Sequence, residues 1–159
     1  MSKTICLRNA KVFTGIALVD HANVIVEGGK IVDVVKNEKL EKIELPEDTT
    51  HIYLNGAYVA PGFIDTHIHG IHGFDTSDAS AESILEMSKA LVDYGVTAFC
   101  PTLYPQEHSQ FIKCIEAINE AMGKEEGAKI FGANLEGPFI SREKHGALDP
   151  NFMLPIDLD

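Results

Sequence analysis

The sequence predicts an α/β chain in which a small N-terminal β domain precedes the first βα units of a (β/α)8 barrel. Three observations support this fold class. Short β-rich runs fill residues 1–57, and strands alternate with amphipathic helices at similar spacing over residues 58–159. The first strand of this second part ends in two histidines, at the position where barrels carry their chemistry.

Residues 1–57 are predicted to form a small β-sandwich-like domain. The segment ANVIVEGGKIVDVV holds two β-rich runs joined through Gly28 and Gly29, which is the signal of a two-residue hairpin. The segment EDTTHIYLNG adds another short extended piece after a charged stretch. Because no reactive side chains cluster here, we expect this domain to support the structure without taking part in chemistry.

Residues 58–159 follow the order strand, helix, strand, helix, strand. The apolar runs YVAPGFIDTHIH, VTAFCPTLYP and AKIFGANLEGPFI are predicted as three buried strands. Each of the two intervening segments has an apolar stripe at helical spacing, and the first helix is expected to end at Gly95. The first stripe is Ile84, Met87, Leu91 and Tyr94, and the second is Phe111, Ile115, Ile118 and Met122.

This alternation is that of parallel βαβ units. The third strand is not followed by a helical pattern before Asp159. Because a (β/α)8 barrel takes ~250 residues, we expect residues 58–159 to hold its first two and a half units as a truncated barrel. A smaller doubly wound sheet can begin in the same way, although three strands ending on a loop fit that fold poorly too.

Composition and charge exclude several classes of partner. An apolar fraction of 45% and a charged fraction of 23% are those of a soluble globular protein. The net charge of -11 argues against nucleic acid as a partner, because binding phosphates requires a basic surface. No segment has the pattern of a signal peptide or the ~20 apolar residues of a membrane span, so we expect a cytoplasmic protein. The three widely spaced cysteines are expected to be free thiols.

Polar residues at the strand ends are candidates for a metal site. Strand alternation places Asp65, His67 and His69 on one face, where two imidazoles can reach one ion or a bridged pair. Asp65 could hydrogen-bond the second ring nitrogen of a ligand histidine. Glu136 ends the third strand and is expected at the same rim, whereas the Thr102 hydroxyl is expected to bond to the backbone. A histidine pair alone is a weak signal, since such pairs more often face solvent or are satisfied in a core.

Several segments together resemble one enzyme family. PGFIDTHIHG resembles the first-strand metal motif of the amidohydrolase superfamily, in which a small β domain typically precedes the barrel. HGIHGFDTSDAS, GVTAFCPTLYP and GANLEGPFISREKHGALDP are similar to the N-acetylglucosamine-6-phosphate deacetylases of that superfamily. LEGPF followed closely by GALDP is the most specific pair. The resemblance covers essentially the whole chain but only the N-terminal part of that family's length.

The resemblance implies a metal-dependent hydrolase that converts N-acetylglucosamine 6-phosphate to glucosamine 6-phosphate and acetate. It makes Glu136 the main metal ligand and assigns His67 and His69 to positions that bind a second ion in some members. One or two divalent ions, zinc or iron, are therefore expected. It also places Ala147 and Leu148 in the substrate loop, with Leu148 where many members have a histidine.

The same resemblance implies that the aspartate acting as acid and base lies beyond Asp159, together with two further histidine ligands. We therefore expect the 159-residue chain alone to be inactive and the full-length protein to form a homodimer. Two other interpretations stay open. Leu148 favours a different amidohydrolase, such as a cyclic amidase or a nucleobase deaminase, and the missing ligands favour a non-catalytic truncated fragment.

Overall fold

The computed structural model of the chain describes residues 3–156 and divides into two units. The first unit ends at Pro61 and the second begins at Gly62. The sequence placed this boundary after residue 57. The boundary lies later because Tyr58–Val59 forms a short strand that pairs with the first strand of the N-terminal unit.

One mixed sheet of five strands forms the first unit where a sandwich-like arrangement was predicted. Its elements are β1 (Thr4–Phe13), β2 (Leu18–Glu27), β3 (Lys30–Lys36), α1 (Asn37–Leu40), β4 (Thr50–Tyr53) and β5 (Tyr58–Val59). β1, β2 and β3 pair antiparallel, and β4 and β5 pair parallel to β1. The hairpin predicted at Gly28 and Gly29 is confirmed, with φ of 56° and 79°, the positive values that a type I′ turn requires.

The main sheet of the second unit has one central strand with parallel strands paired on both of its sides. The elements of this unit are β6 (Phe63–Ile68), β7 (Gly70–Ile71), β8 (Phe74–Asp75), α2 (Ala81–Val92), β9 (Val96–Leu103), α3 (His108–Ala121), β10 (Lys129–Ile130) and β11 (Asn134–Leu135). β6 pairs parallel to β9 on one side, and β10 and β11 pair parallel to β9 on the other. The predicted α/β class is confirmed, and the carboxyl ends of all these strands meet at one edge of the sheet.

Two strand predictions were wrong in detail. YVAPGFIDTHIH is not one buried strand, because it separates at Pro61 into β5 and β6, and Phe63 on β6 is 71% exposed. β6 pairs only with β9 within residues 3–156, so its other edge and part of its surface stay open. The predicted third strand is two short pieces, β10 and β11, separated at Gly132, whose φ of +150° interrupts the regular extended backbone.

The apolar face of α2 is largely the predicted one. Ile84, Met87 and Leu91 are buried in the core of the second unit. The helix begins after Ser80, whose hydroxyl accepts a hydrogen bond from the backbone N–H three residues on, as N-cap serines do. Tyr94 does not belong to this face: it follows the end of the helix and is 59% exposed.

The buried face of α3 differs from the predicted stripe. Met122 is the C-cap residue, with ψ of 129°, so its side chain leaves the helical path and is 40% exposed. Phe111 and Ile115 are half-buried at the margin of the core. The buried positions are Cys114, Ala117, Ile118 and Ala121. The small side chains at 117 and 121 permit close packing, and a hydrophobicity pattern weights such residues too lightly.

The cysteines are free, as predicted, and Cys6 and Cys114 are buried. Burial raises the pKa of the Cys114 thiol, which keeps it protonated at neutral pH. Over residues 3–156, no helix is both long and apolar enough to cross a membrane.

Candidate metal centre

Three side chains converge at the carboxyl-terminal edge of the parallel strands. Nε2 of His67 lies 3.2 Å from Nε2 of His69, and Oε2 of Glu136 lies 3.3 Å from the first and 3.1 Å from the second. The side chains of His67, His69 and Glu136 are 52%, 35% and 32% exposed, so the cluster is open to solvent on one side. The structure thus brings together the three residues that the sequence predicted as metal ligands, and their binding of a metal stays a prediction.

Parallel strands place these three candidate ligands side by side. His67 lies within β6 and His69 immediately follows it, while Glu136 immediately follows β11 on the other side of β9. The backbone N–H of Glu136 donates to the carbonyl of Leu103 at 2.8 Å, which extends the β11–β9 ladder by one bond. Glu136 is therefore fixed by its backbone, and its side chain is aimed across the end of β9.

A backbone carbonyl sets the tautomer of His69. Its Nδ1 lies 3.0 Å from the carbonyl oxygen of Thr102, which can only accept a hydrogen bond. Nδ1 must therefore carry the hydrogen, and in the neutral ring Nε2 presents a lone pair toward His67 and Glu136. The prediction that the Thr102 hydroxyl bonds to the backbone is confirmed by its contacts to Ile68 and Cys100, but the role of its carbonyl was not predicted.

The spacing of the three ligand atoms fits a single divalent ion. Atoms bound about 2.1 Å from one ion lie roughly 3.0 Å apart in an octahedron and about 3.4 Å apart in a tetrahedron. The observed separations of 3.1, 3.2 and 3.3 Å fall between these values. Two imidazole nitrogens and one carboxylate oxygen are a donor set that suits zinc or iron(II). If each of the three atoms presents a lone pair, the three repel one another unless a cation lies between them.

Asp65 does not make the predicted contact to a ligand ring. Its Oδ1 accepts a hydrogen bond from the backbone N–H of His67 at 3.1 Å. The β6–β9 register shifts between Asp65 and Ile68, where two residues of β6 lie opposite one of β9. Regular strand alternation therefore does not continue from Asp65 to His69, and the carbonyl of Thr102 occupies the role predicted for the carboxylate.

Ala147 and Leu148 lie in the loop that follows Glu136. Leu148 is half-buried and its N–H donates to the carbonyl of His145 at 3.2 Å, whereas Ala147 is exposed. The loop is closed at its base by a 3.0 Å hydrogen bond from the Leu154 N–H to the Pro138 carbonyl. No hydrogen bond within residues 3–156 joins Ala147 or Leu148 to the histidine–glutamate cluster, so their substrate contacts stay a prediction.

Sequence reasoning missed three residues beside the site. The hydroxyl of Thr76 donates to the Thr102 carbonyl at 2.8 Å, and the amide of Asn134 donates to the Thr102 hydroxyl at 3.2 Å. The ring of Tyr104 lies 5.4 Å from that of His69, centroid to centroid. The position of Asn134, on β11 two residues before Glu136, was the available signal. Thr76 comes from a separate turn, which no local pattern connects to the site.

Comparison with known proteins agrees with this geometry. The model of the Amidohydrolase family matches residues 58–152, a range that contains both histidines and Glu136. The chain is 37% identical over 142 residues to N-acetylglucosamine-6-phosphate deacetylase of Bos taurus, covering 87% of this chain and 34% of the relative. It is 30% identical over 167 residues to the enzyme of that name from Bacillus subtilis (strain 168), covering 100% of this chain and 40% of the relative.

A crystal structure gives the same result for the fold. N-acetylglucosamine-6-phosphate deacetylase from Pasteurella multocida aligns with a TM-score of 0.83 at 23% identity, over 97% of this chain and 39% of that chain. The chain thus spans about a third of the length of the cattle relative and two fifths of the other two proteins.

Proposed function

The chain belongs to the amidohydrolase family, and from that premise we propose that it supplies the first and third strands of the metal centre of a hydrolase that deacetylates N-acetylglucosamine 6-phosphate. One observation carries the proposal. Nε2 of His67, Nε2 of His69 and Oε2 of Glu136 form a triangle with edges of 3.1 to 3.3 Å, the arrangement that one divalent ion needs on one of its faces.

Each of the three residues has a separate task in this proposal. A bound divalent ion polarises a carbonyl and lowers the pKa of its bound water. His67 and His69 would hold the ion as neutral donors, which leaves its charge available to the substrate. Glu136 adds one negative charge, and its attachment to the β9 ladder keeps the triangle from widening. We propose zinc or iron(II) as the ion, in one or two sites.

The substrate proposal rests on the relatives. Those from cattle and Bacillus are named for N-acetylglucosamine 6-phosphate, and the loop carrying Ala147 and Leu148 begins two residues after Glu136. We propose that this loop borders the sugar. Leu148 has no hydrogen-bonding side chain, so its contribution there is apolar contact, and polar recognition of the phosphate must come from elsewhere.

The remaining parts of the reaction are proposed from the family. Proton transfer to the departing amine needs an acid, and Asp65 is engaged with the His67 backbone. An aspartate beyond Asp159 is the proposed acid and base, and the whole protein is proposed to act as a homodimer.

The test is acetate release from N-acetylglucosamine 6-phosphate by the protein as its source cell makes it. We expect release with zinc or iron(II), loss of release on chelation, and recovery when the ion returns. Glu136→Gln should bring the rate to background, because the ion loses one of its anchors. Glu116→Gln, which changes an exposed carboxylate on α3 outside the proposed substrate loop, is the matched control and should keep the rate.

No acetate release with the ion restored would contradict the proposed function. Faster turnover of a phosphate-free cyclic amide or of a nucleobase would instead assign the site to another branch of the amidohydrolase family.

A further inference from the structure

We propose that Thr102 is the positioning residue that joins the two halves of this metal centre, holding the two histidines at the end of β6 and the glutamate after β11 at their mutual distance. The inference rests on the metal site of the proposed function and deepens it. Thr102 is fully buried at the end of β9, between the two strands that carry the ligands. It touches both strands through its hydroxyl and the His69 ring through its carbonyl.

The hydroxyl of Thr102 makes every hydrogen bond available to it. It accepts from the Ile68 N–H at 3.0 Å and from the Asn134 amide at 3.2 Å, and it donates to the Cys100 carbonyl at 3.1 Å. A hydroxyl has one hydrogen and two lone pairs, so the set is complete. Ile68 lies between the two ligand histidines, and Asn134 lies two residues before Glu136, so a single oxygen fixes both ligand-bearing segments.

The β6–β9 hydrogen-bond ladder is interrupted next to the Thr102 hydroxyl. The extra residue of β6 between Asp65 and Ile68 breaks the regular pairing, and the residue opposite Ile68 is Pro101, which has no N–H to donate. The Ile68 N–H is bonded to a side chain instead of a strand carbonyl. The Thr102 hydroxyl thus takes the place of a strand carbonyl as the acceptor for the Ile68 N–H. Ile68 is the residue between the two histidines whose rings face Glu136.

The carbonyl of Thr102 also positions the ring of His69. It accepts from Nδ1 of His69 at 3.0 Å and from the hydroxyl of Thr76 at 2.8 Å. The first contact fixes the orientation and the tautomer of the His69 ring. The second joins the turn after β8, which contains Thr76, to the same carbonyl oxygen. A displacement of Thr102 would therefore move the Ile68 backbone, the His69 ring and the Asn134 side chain together.

Thr102→Val keeps the shape of the side chain and removes only the hydroxyl. The partly buried N–H of Ile68 and the amide of Asn134 then lose their acceptor, and the ligand triangle is free to widen. We expect the affinity of the chain for Co²⁺, read from the visible absorption of the bound ion, to fall about 10- to 100-fold, as for other groups that orient metal ligands. Thr102→Ser restores the hydroxyl and is expected to restore both the affinity and the shape of the absorption band.

Thr97→Val is the matched control. Thr97 lies on the same strand, and its hydroxyl donates to the Phe63 carbonyl of β6 at 3.3 Å, at the end of the sheet away from the ligands. The change therefore removes a β6–β9 hydrogen bond without touching the centre, and Co²⁺ affinity should not change. Far-UV circular dichroism of each variant checks that it is folded.

The outcomes separate this inference from the proposed function. A folded Thr102→Val chain that binds Co²⁺ as tightly as the unchanged chain would overturn the role of Thr102 alone. An unchanged chain that binds no Co²⁺ would overturn the metal site itself. If Thr102→Val does not fold, Asn134→Leu removes one bond of the same hydroxyl: weakened binding supports the inference, and unchanged binding overturns it.

Discussion

At the residue scale, the position of Glu136 depends on the glycine that follows it. Gly137 has φ of +104°, a value that favours glycine, and a Cβ there would lie 2.6 Å from Cγ of Pro105. Real Cβ atoms do not approach a ring carbon so closely. The backbone conformation directly after Glu136 therefore requires glycine, because the chain there passes close to the ring of Pro105.

Gly137→Ala should lower both stability and metal affinity. The backbone strain costs about 1–3 kcal/mol, and the overlap with Pro105 adds about 1–3 kcal/mol unless the loop moves. Any such movement shifts Glu136, so Co²⁺ affinity should fall together with the free energy of unfolding in urea.

Gly146→Ala provides the control for this prediction. Gly146 also has a positive φ, +64°, but a Cβ there would meet nothing within 4 Å. We expect only the left-handed backbone penalty of about 1–2 kcal/mol and no change in Co²⁺ affinity. Equal affinity in the Gly137→Ala chain would show that Glu136 is not held by this turn.

The convergence of the three candidate ligands could be predicted at this scale, but the residues that support them could not. His67, His69 and Glu136 each end an apolar run, and parallel strands bring such ends together. The contact of Thr102 to His69 passes through a backbone carbonyl, which every residue has, so no side-chain pattern reveals it. The displaced role of Asp65 follows from a β-bulge, and nothing in FIDTHIH indicates where the extra residue falls.

At the scale of elements, helix periodicity located α3 but not its buried face. The predicted stripe counted large apolar residues, whereas the buried face includes Ala117 and Ala121 beside Ile118. The distance between packed helices depends on the side chains at the contact, so small buried residues can be as important to packing as large ones. The extended segment after α3 was expected at the right place in the chain, but its division into β10 and β11 at Gly132 depends on a backbone conformation that hydrophobicity does not encode.

Ile118→Ala tests the observed face of α3. Ile118 is 2% exposed in the core of the second unit, so its truncation should lower the free energy of unfolding by about 2–5 kcal/mol. Met122→Ala, at a position 40% exposed, should change it by about 0.5 kcal/mol or less. Urea unfolding followed by circular dichroism measures both. If the two variants lost a comparable free energy of unfolding, the result would contradict the observed face and favour the stripe predicted from the sequence.

At the scale of the whole molecule, the two units have separate cores, and only the second contains the ligand triangle. The first unit is built around clusters on its five-stranded sheet, and the second around α2, α3 and β9. The sequence distinguished these parts because the spacing of apolar residues changes near Tyr58. It could not place the boundary to the residue, since the pairing of β5 with β1 is a contact between distant segments.

Metal binding should therefore stabilise the second unit and leave the first unchanged. A ligand that binds only the folded state at 100 times its Kd adds about 2.7 kcal/mol to the free energy of unfolding. The effect should appear as slower hydrogen exchange of the amides of β6 and β9 when zinc is added to the 159-residue chain. The amides of β1 and β2 should exchange at the same rate with and without zinc. Glu136→Gln should abolish the protection, whereas equal protection of both units, or of neither, would mean that zinc does not bind through the triangle.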